Sequence, residues 1–218
     1  RQIRSSADGK EVVLLSGEVF DPRKGFGTPH YLAVHPYGTI YWSGFPGGGT
    51  RYLMPGAKEV TIAAPFIQHT HGIGLSPKHD WLYVNSKIPN ANGRGVWRFT
   101  VHEDGSLGKG KFFIPIEKFT TTHLKGMPAA KDDSDKLLGW LGRLQGLAVD
   151  RLGYVYVSGS ESHSSGTGIA VFTPDGKTLA AMIVPDPKVG MGLPTTVCGL
   201  GFGGKDGRTL FILSLIHI

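Results

Sequence analysis

The chain is expected to fold as an all-β propeller, on three observations: a phrase that recurs four times, a tight-turn signal after each copy, and further strand signals before the phrase returns. The phrase reads Thr-Pro-His-Tyr-Leu-Ala-Val at 28–34, His-Thr-His-Gly-Ile-Gly-Leu at 69–75, Leu-Gln-Gly-Leu-Ala-Val at 144–149 and Thr-Thr-Val-Cys-Gly-Leu at 195–200. After each copy comes a turn and then an aromatic or β-branched run. These are Tyr37-Gly38 before Ile40-Tyr41-Trp42, His79-Asp80 before Trp81-Leu82-Tyr83-Val84, Leu152-Gly153 before Tyr154-Val155-Tyr156-Val157, and Asp206-Gly207 before Leu210-Phe211-Ile212-Leu213.

Taken in order, residues 1–15 read as the last half of an earlier blade, with the turn Asp8-Gly9-Lys10 leading into Glu11-Val12-Val13-Leu14-Leu15. The first full unit continues past Trp42 through Gly47-Gly48-Gly49 to strands over 50–54 and 60–63, separated by Pro55-Gly56. In the second, Gly95-Val96-Trp97-Arg98-Phe99-Thr100-Val101 alternates with period two, and Glu103-Asp104-Gly105 turns the chain toward 110–114. The third repeats the device with Ile169-Ala170-Val171-Phe172, the turn Pro174-Asp175-Gly176-Lys177 and a strand over 178–184. Four short strands per unit make one propeller blade. The whole of 1–218 thus reads as a single propeller domain of about four blades, incomplete at both ends. Leu215-Ile216-His217-Ile218 continues its strand without a turn and looks foreign to the pattern.

In a propeller the start of every innermost strand points at the central channel, so equivalent positions in successive blades converge. Here those positions are His30, His71, Gln145 and Thr196 or its neighbour Thr195. Two imidazoles and an amide on one axis suit a cation or a polar substrate. His30, His71 and Gln145 are therefore the candidate metal ligands, and His30 and His71 the candidate catalytic groups. Candidate substrate contacts are Tyr31, His69, His123, Thr195 and Thr196; on an extended segment His69 would share a face with His71. The interval from His71 to Gln145 is the longest of the three, and its excess, 119–143, reads as an inserted loop over the channel mouth, either a lid or a solvated excursion.

Composition narrows the function classes. With 218 residues, 33 Gly, 14 Pro and 40% hydrophobic residues, the chain has the makings of a globular all-β domain. No uninterrupted apolar run is long enough for a membrane-spanning helix, and no leader segment is recognisable. Its single cysteine, Cys198, cannot form an internal disulfide or build an all-thiolate metal site. The net charge of +6 comes from scattered turn residues such as Arg23, Lys24 and Lys111, so nucleic acid is not an expected partner. Nothing points to a specific protein partner.

Other motifs fall short of a chemistry. Gly47-Gly48-Gly49 has no Lys-Ser or Lys-Thr after it and reads as a hairpin turn rather than a phosphate loop. The stretch 158–165 contains Ser, Glu161 and His163 but lacks the Gly-x-Ser-x-Gly elbow, so it reads as a polar loop, with Glu161 and His163 as minor accessory candidates. Asp132, Asp133 and Asp135 lack the Gly and terminal Glu of a calcium loop. Trp42, Trp81, Trp97 and Phe172 are expected to pack between blades.

The repeats also resemble the senescence-marker-protein, gluconolactonase and luciferin-regenerating-enzyme family of six-bladed propellers, over nearly the whole chain. The resemblance is carried by Thr28-Pro29-His30-Tyr31-Leu32-Ala33-Val34 with Gly38-Thr39-Ile40-Tyr41, by His71-Gly72-Ile73-Gly74-Leu75-Ser76-Pro77, by Gly95-Val96-Trp97-Arg98-Phe99 with Asp104-Gly105, by Gly146-Leu147-Ala148-Val149-Asp150, and by Pro194-Thr195-Thr196 with the run 202–210. It implies a small-molecule hydrolase acting on a polar or cyclic ester in the channel. It also implies a divalent cation, calcium in the family, bound by an early Glu, two Asn and an Asp. Motif by motif, the Asn positions fall on His30 and His71 and the Asp on Gln145, while the early Glu belongs to a blade outside this sequence. Imidazole favours zinc, iron, copper or nickel over calcium. Three readings of the channel stay open at this level: a metal site re-tuned toward zinc, a metal-free channel with histidine as acid or base, and a degenerate channel of satisfied polar residues with no activity; the rival function is a non-catalytic propeller that binds a ligand or protein partner on its top face.

Overall fold

The structure, a computed structural model, describes residues 3–7, 10–15, 28–45, 49–67, 69–90, 93–125, 137, 141–160, 168–184 and 196–215. Thr195, Asp132, Asp133, Asp135, Glu161, His163 and the last three residues lie outside them.

The described strands form five antiparallel sheets. A hairpin of β1 (Ile3–Ala7) and β2 (Lys10–Leu15) comes first. Three four-stranded sheets follow: β3 (Thr28–Val34), β4 (Ile40–Phe45), β5 (Thr50–Leu53) and β6 (Thr61–Ile62); β7 (Thr70–Leu75), β8 (Trp81–Asn90), β9 (Gly93–Thr100) and β10 (Lys111–Pro115); β11 (Arg143–Val149), β12 (Val155–Ser160), β13 (Ile169–Phe172) and β14 (Leu179–Ile183). A last hairpin pairs β15 (Thr196–Gly203) with β16 (Thr209–Leu215). In each four-stranded sheet every strand pairs only with its sequence neighbour, the up-and-down pattern of a propeller blade. The first strands, β3, β7, β11 and β15, are packed in succession against one another.

Alternation along the strands assigns each side chain to a neighbouring sheet. Leu82 and Val84 of β8, with Trp97 and Phe99 of β9, pack toward the first sheet beside Tyr41, Tyr52 and Ile73. The intervening Tyr83 and Val96 pack toward the third, against Ile114, Leu147, Val155, Val157 and Phe172. Strands caught between two sheets are buried throughout, as Ile169–Phe172 shows. Each such Leu, Val or Phe contributes roughly 1.5–3 kcal/mol of burial, and this inter-blade apolar contact holds the blades together. Trp42, Trp97 and Phe172 are all buried, as expected of packing residues; Trp81 is half-buried, with the Arg98 guanidinium 4.1 Å above its ring.

The turns after the first strands obey one rule. Gly38 and Gly153 take positive φ, 95° and 88°, and His79 occupies the same slot in the second blade at 59°. A short 3-10 turn at Ile116–Lys118 lies just before the long connection that begins at Phe119. From the long connection, Phe119 meets Phe172 edge to face at 5.1 Å, and Leu137 and Leu141 are buried in the core between the second and third blades. The described portion of that connection is thus anchored in the core.

Candidate channel site

All four first strands carry a β-bulge at the same register. In β3 the pairing jumps from Pro29↔Gly44 to Leu32↔Trp42, in β7 from Thr70↔Ser86 to Ile73↔Val84, and in β11 from Leu144↔Gly159 to Leu147↔Val157. In β15 it jumps from Val197↔Ser214 to Gly199↔Leu213. A bulge leaves a residue out of the ladder and re-aims its side chain. The re-aimed positions are His30, His71, Gln145 and, in the fourth strand, Cys198. Thr196, expected at this place together with Thr195, enters the ladder two residues earlier, opposite Leu215, so by register the fourth bulge falls at Cys198; Thr195 lies outside the described residues. Aligning Gln145-Gly146-Leu147-Ala148-Val149 with Cys198-Gly199-Leu200-Gly201-Phe202 would have found the fourth position in the sequence.

The bulges are pinned by second-strand residues that the sequence did not single out. Asn85, fully buried, accepts the Gly72 N–H at 2.9 Å and donates to the Gln145 carbonyl at 2.8 Å. Ser158 does the same in the next blade, accepting the Gly146 N–H at 2.9 Å and donating to the Val197 carbonyl at 2.9 Å. Ser158 therefore belongs to a strand and a buried seam, not to the polar loop it was grouped with. The approach is close: a Cβ on Gly72 would lie 2.4 Å from the Gln145 carbonyl oxygen. Only glycine lets β7 and β11 meet this closely.

On this frame three candidates come together. The His30 and His71 rings stand edge to face, 4.6 Å between centroids at 89°. His71 is 4% exposed, and its Nδ1 donates to the Gln145 side-chain oxygen at 2.8 Å. That bond puts the hydrogen of the neutral ring on Nδ1 and the basic lone pair on Nε2. Tyr31 lies 6.0 Å from the His71 ring, and its hydroxyl donates to the Cys198 carbonyl, tying β3 to β15. Burial, and then nearby Cys198, push the Tyr31 phenol up to about 12, so it is a neutral hydrogen-bond donor at physiological pH.

His69 precedes β7 with φ 51°, so it breaks the extended geometry that would have put it on the His71 face. His123 is exposed, and its Nε2 contacts the Leu179 carbonyl at 2.8 Å, on the outermost strand of the third blade rather than beside His71. For Thr196 only the backbone is described, in β15.

The four bulge positions offer two imidazoles, an amide and a thiol. Calcium takes six to eight oxygen ligands with carboxylate among them, and this donor set does not fit it. Imidazole nitrogen suits zinc and the later transition metals. The hydrogen bond on the far nitrogen of His71 is what a metal-ligating histidine ordinarily has. Among the described residues, no three His, Cys, Asp or Glu side chains form a ready ligand group.

The comparisons agree with this architecture. The model of the SMP-30/Gluconolactonase/LRE-like region matches residues 23–216. A gluconolactonase from Xanthomonas campestris is 22% identical, covered over 98% of this chain and 62% of its own, with a TM-score of 0.58. The calcium-binding protein regucalcin from Agrobacterium tumefaciens is 18% identical over 84% of this chain and 52% of its own, TM-score 0.55. A luciferin-regenerating enzyme is 16% identical over 98% of this chain and 64% of its own, TM-score 0.63. The chain therefore spans less than two thirds of the length of each. No curated protein sequence matches it. With the repeated four-stranded blades and the family model spanning nearly all of the sequence, the chain belongs to the SMP-30/gluconolactonase/LRE-like family of β-propeller proteins.

Proposed function

We propose that the channel hydrolyses a small polar or cyclic ester, in lactonase fashion, with a divalent ion of the zinc type held by His30 and His71. The observation that carries this is the perpendicular imidazole pair at 4.6 Å, with Gln145 fixing the lone pair of His71 on Nε2. Such an ion supplies Lewis acidity, polarising a carbonyl and acidifying water. Gln145 is a positioning residue, holding one tautomer of His71. The Tyr31 hydroxyl, kept protonated by burial, braces the strand that carries His30.

The same Gln145–His71 bond supports a second reading, in which His71 Nε2 is itself the general base that takes a proton from water. A third, a propeller that binds a ligand without turning it over, follows if no ester is hydrolysed.

One experiment separates them: metal analysis and metal titration of the protein beside a His30→Ala, His71→Ala double variant, then a lactone, aryl-ester and phosphotriester panel with and without chelator. Zinc binding preferred over calcium, lost in the double variant and weakened below about pH 6.5 as imidazole protonates, together with chelator-sensitive hydrolysis, is the expected result. Chelator-resistant hydrolysis that depends on His71 selects the general-base reading. Equal metal binding by both proteins removes the histidine site.

A further inference from the structure

A second group of imidazoles lies at the far end of the strands that carry His30 and His71. There the turn after β3 and the turn after β7 enclose a cleft of about 250 Å³ between the first two blades. His35, 6% exposed, accepts the Tyr37 backbone N–H on Nδ1 at 3.3 Å. Its ring meets Tyr37 edge-on at 5.1 Å and His79, on the neighbouring blade, at 5.7 Å and 80°. With Nδ1 accepting, the neutral ring carries its hydrogen on Nε2. A proton added to Nδ1 would face the Tyr37 N–H donor and stand beside a second imidazole.

The surrounding charges do not cancel this cost. Lys78 and His102 also line the cleft, and each adds positive charge when protonated. Asp80 and Glu103 oppose them, but one Asp80 oxygen already accepts the Ser76 hydroxyl at 2.7 Å. Burial, then the neighbouring His79, hold the His35 imidazole below its usual range.

We propose that the His35–His79 contact is a proton-operated latch between the first two blades, closed while the His35 ring is neutral and released when that ring is protonated. Because β3 carries His30 and leads into His35, and β7 leads from His71 into the His79 turn, release at the turns loosens the pair of strands that sets the channel imidazoles against each other. The sign follows from the lowered His35 value. The latch contributes fully above the unfolded-state pKa of about 6.5 and is lost as pH falls through the lower folded value.

The test uses His79→Asn in the full chain, since asparagine suits the positive φ of that turn and removes the second ring. Site-resolved NMR titration of His35 should show it protonating at higher pH in the variant than in the parent. The fall in thermal midpoint between about pH 8 and pH 5 should be smaller in the variant. A His35→Gln variant should lose the same acid-sensitive component. To keep the channel separate, the comparison is repeated in the His30→Ala, His71→Ala background, where the difference should persist. An unchanged His35 titration in His79→Asn, or an acid loss equal in parent and both variants, overturns the latch.

Discussion

Replacing Asn85 with alanine tests the claim that the channel is built by pinned bulges. The side chain is fully buried and makes two hydrogen bonds, from the Gly72 N–H at 2.9 Å and to the Gln145 carbonyl at 2.8 Å. Both partners are backbone groups of bulged residues, outside the regular ladder, so neither regains a strand partner when Asn85 is removed. A buried polar group left without its partner costs about 1–3 kcal/mol. Two such groups give roughly 2–6 kcal/mol, the low end applying where water fills the space vacated by the amide. Asn85→Asp should also destabilise, because a carboxylate accepts from Gly72 but meets the Gln145 carbonyl with a second acceptor. The assay is urea unfolding at neutral pH, with ΔG from linear extrapolation. Asn85→Ala should also disturb the His71–Gln145 hydrogen bond, visible as a changed His71 imidazole resonance. A loss within about 0.5 kcal/mol, the range of ordinary surface substitutions, with the His71 signal unmoved, would refute the reasoning.

Gly72→Ala should be at least as damaging, since its Cβ would sit 2.4 Å from the Gln145 oxygen and 2.6 Å from the Leu147 nitrogen, both backbone atoms that cannot rotate away; overpacking of this kind costs about 1–3 kcal/mol or more, measurable in the same urea assay. Tyr31→Phe removes the hydrogen bond to Cys198 and should cost about 1 kcal/mol. The Tyr31 phenol is raised to about 12, so its contribution is present below the unfolded value of about 10 and lost as pH rises from there through the folded value. Alkaline melts should therefore show a smaller stability loss in Tyr31→Phe than in the parent.

The blades were legible from the order of residues alone. Short alternating runs such as Trp81-Leu82-Tyr83-Val84, closed by turns with a positive-φ residue, can bury both faces only by stacking against copies of themselves, and that condition is local and repeats. His30, His71 and Gln145 could be named in the same way, because their places in the recurring phrase are equivalent. Register was legible only in part. By register Cys198 takes the fourth place, because the bulge of β15 falls between Val197 and Gly199 while Thr196 is already paired in the ladder opposite Leu215. Asn85 and Ser158 acquire their roles in the folded chain, since their sequence neighbourhoods are ordinary strand and polar loop. Their meaning lies in carbonyls sixty and thirty-nine residues away, on the next blade. For the same reason His123 left the site: the chain folds its connection against the outer strand, at the Leu179 carbonyl. The His35–His79 contact joins two turns that no periodicity relates to chemistry, and it exists because adjacent blades bring equivalent turns to the same end. Short-range periodicity decides what each strand buries, whereas the residues that meet across blades depend on register and on bulges, which are settled by packing between units.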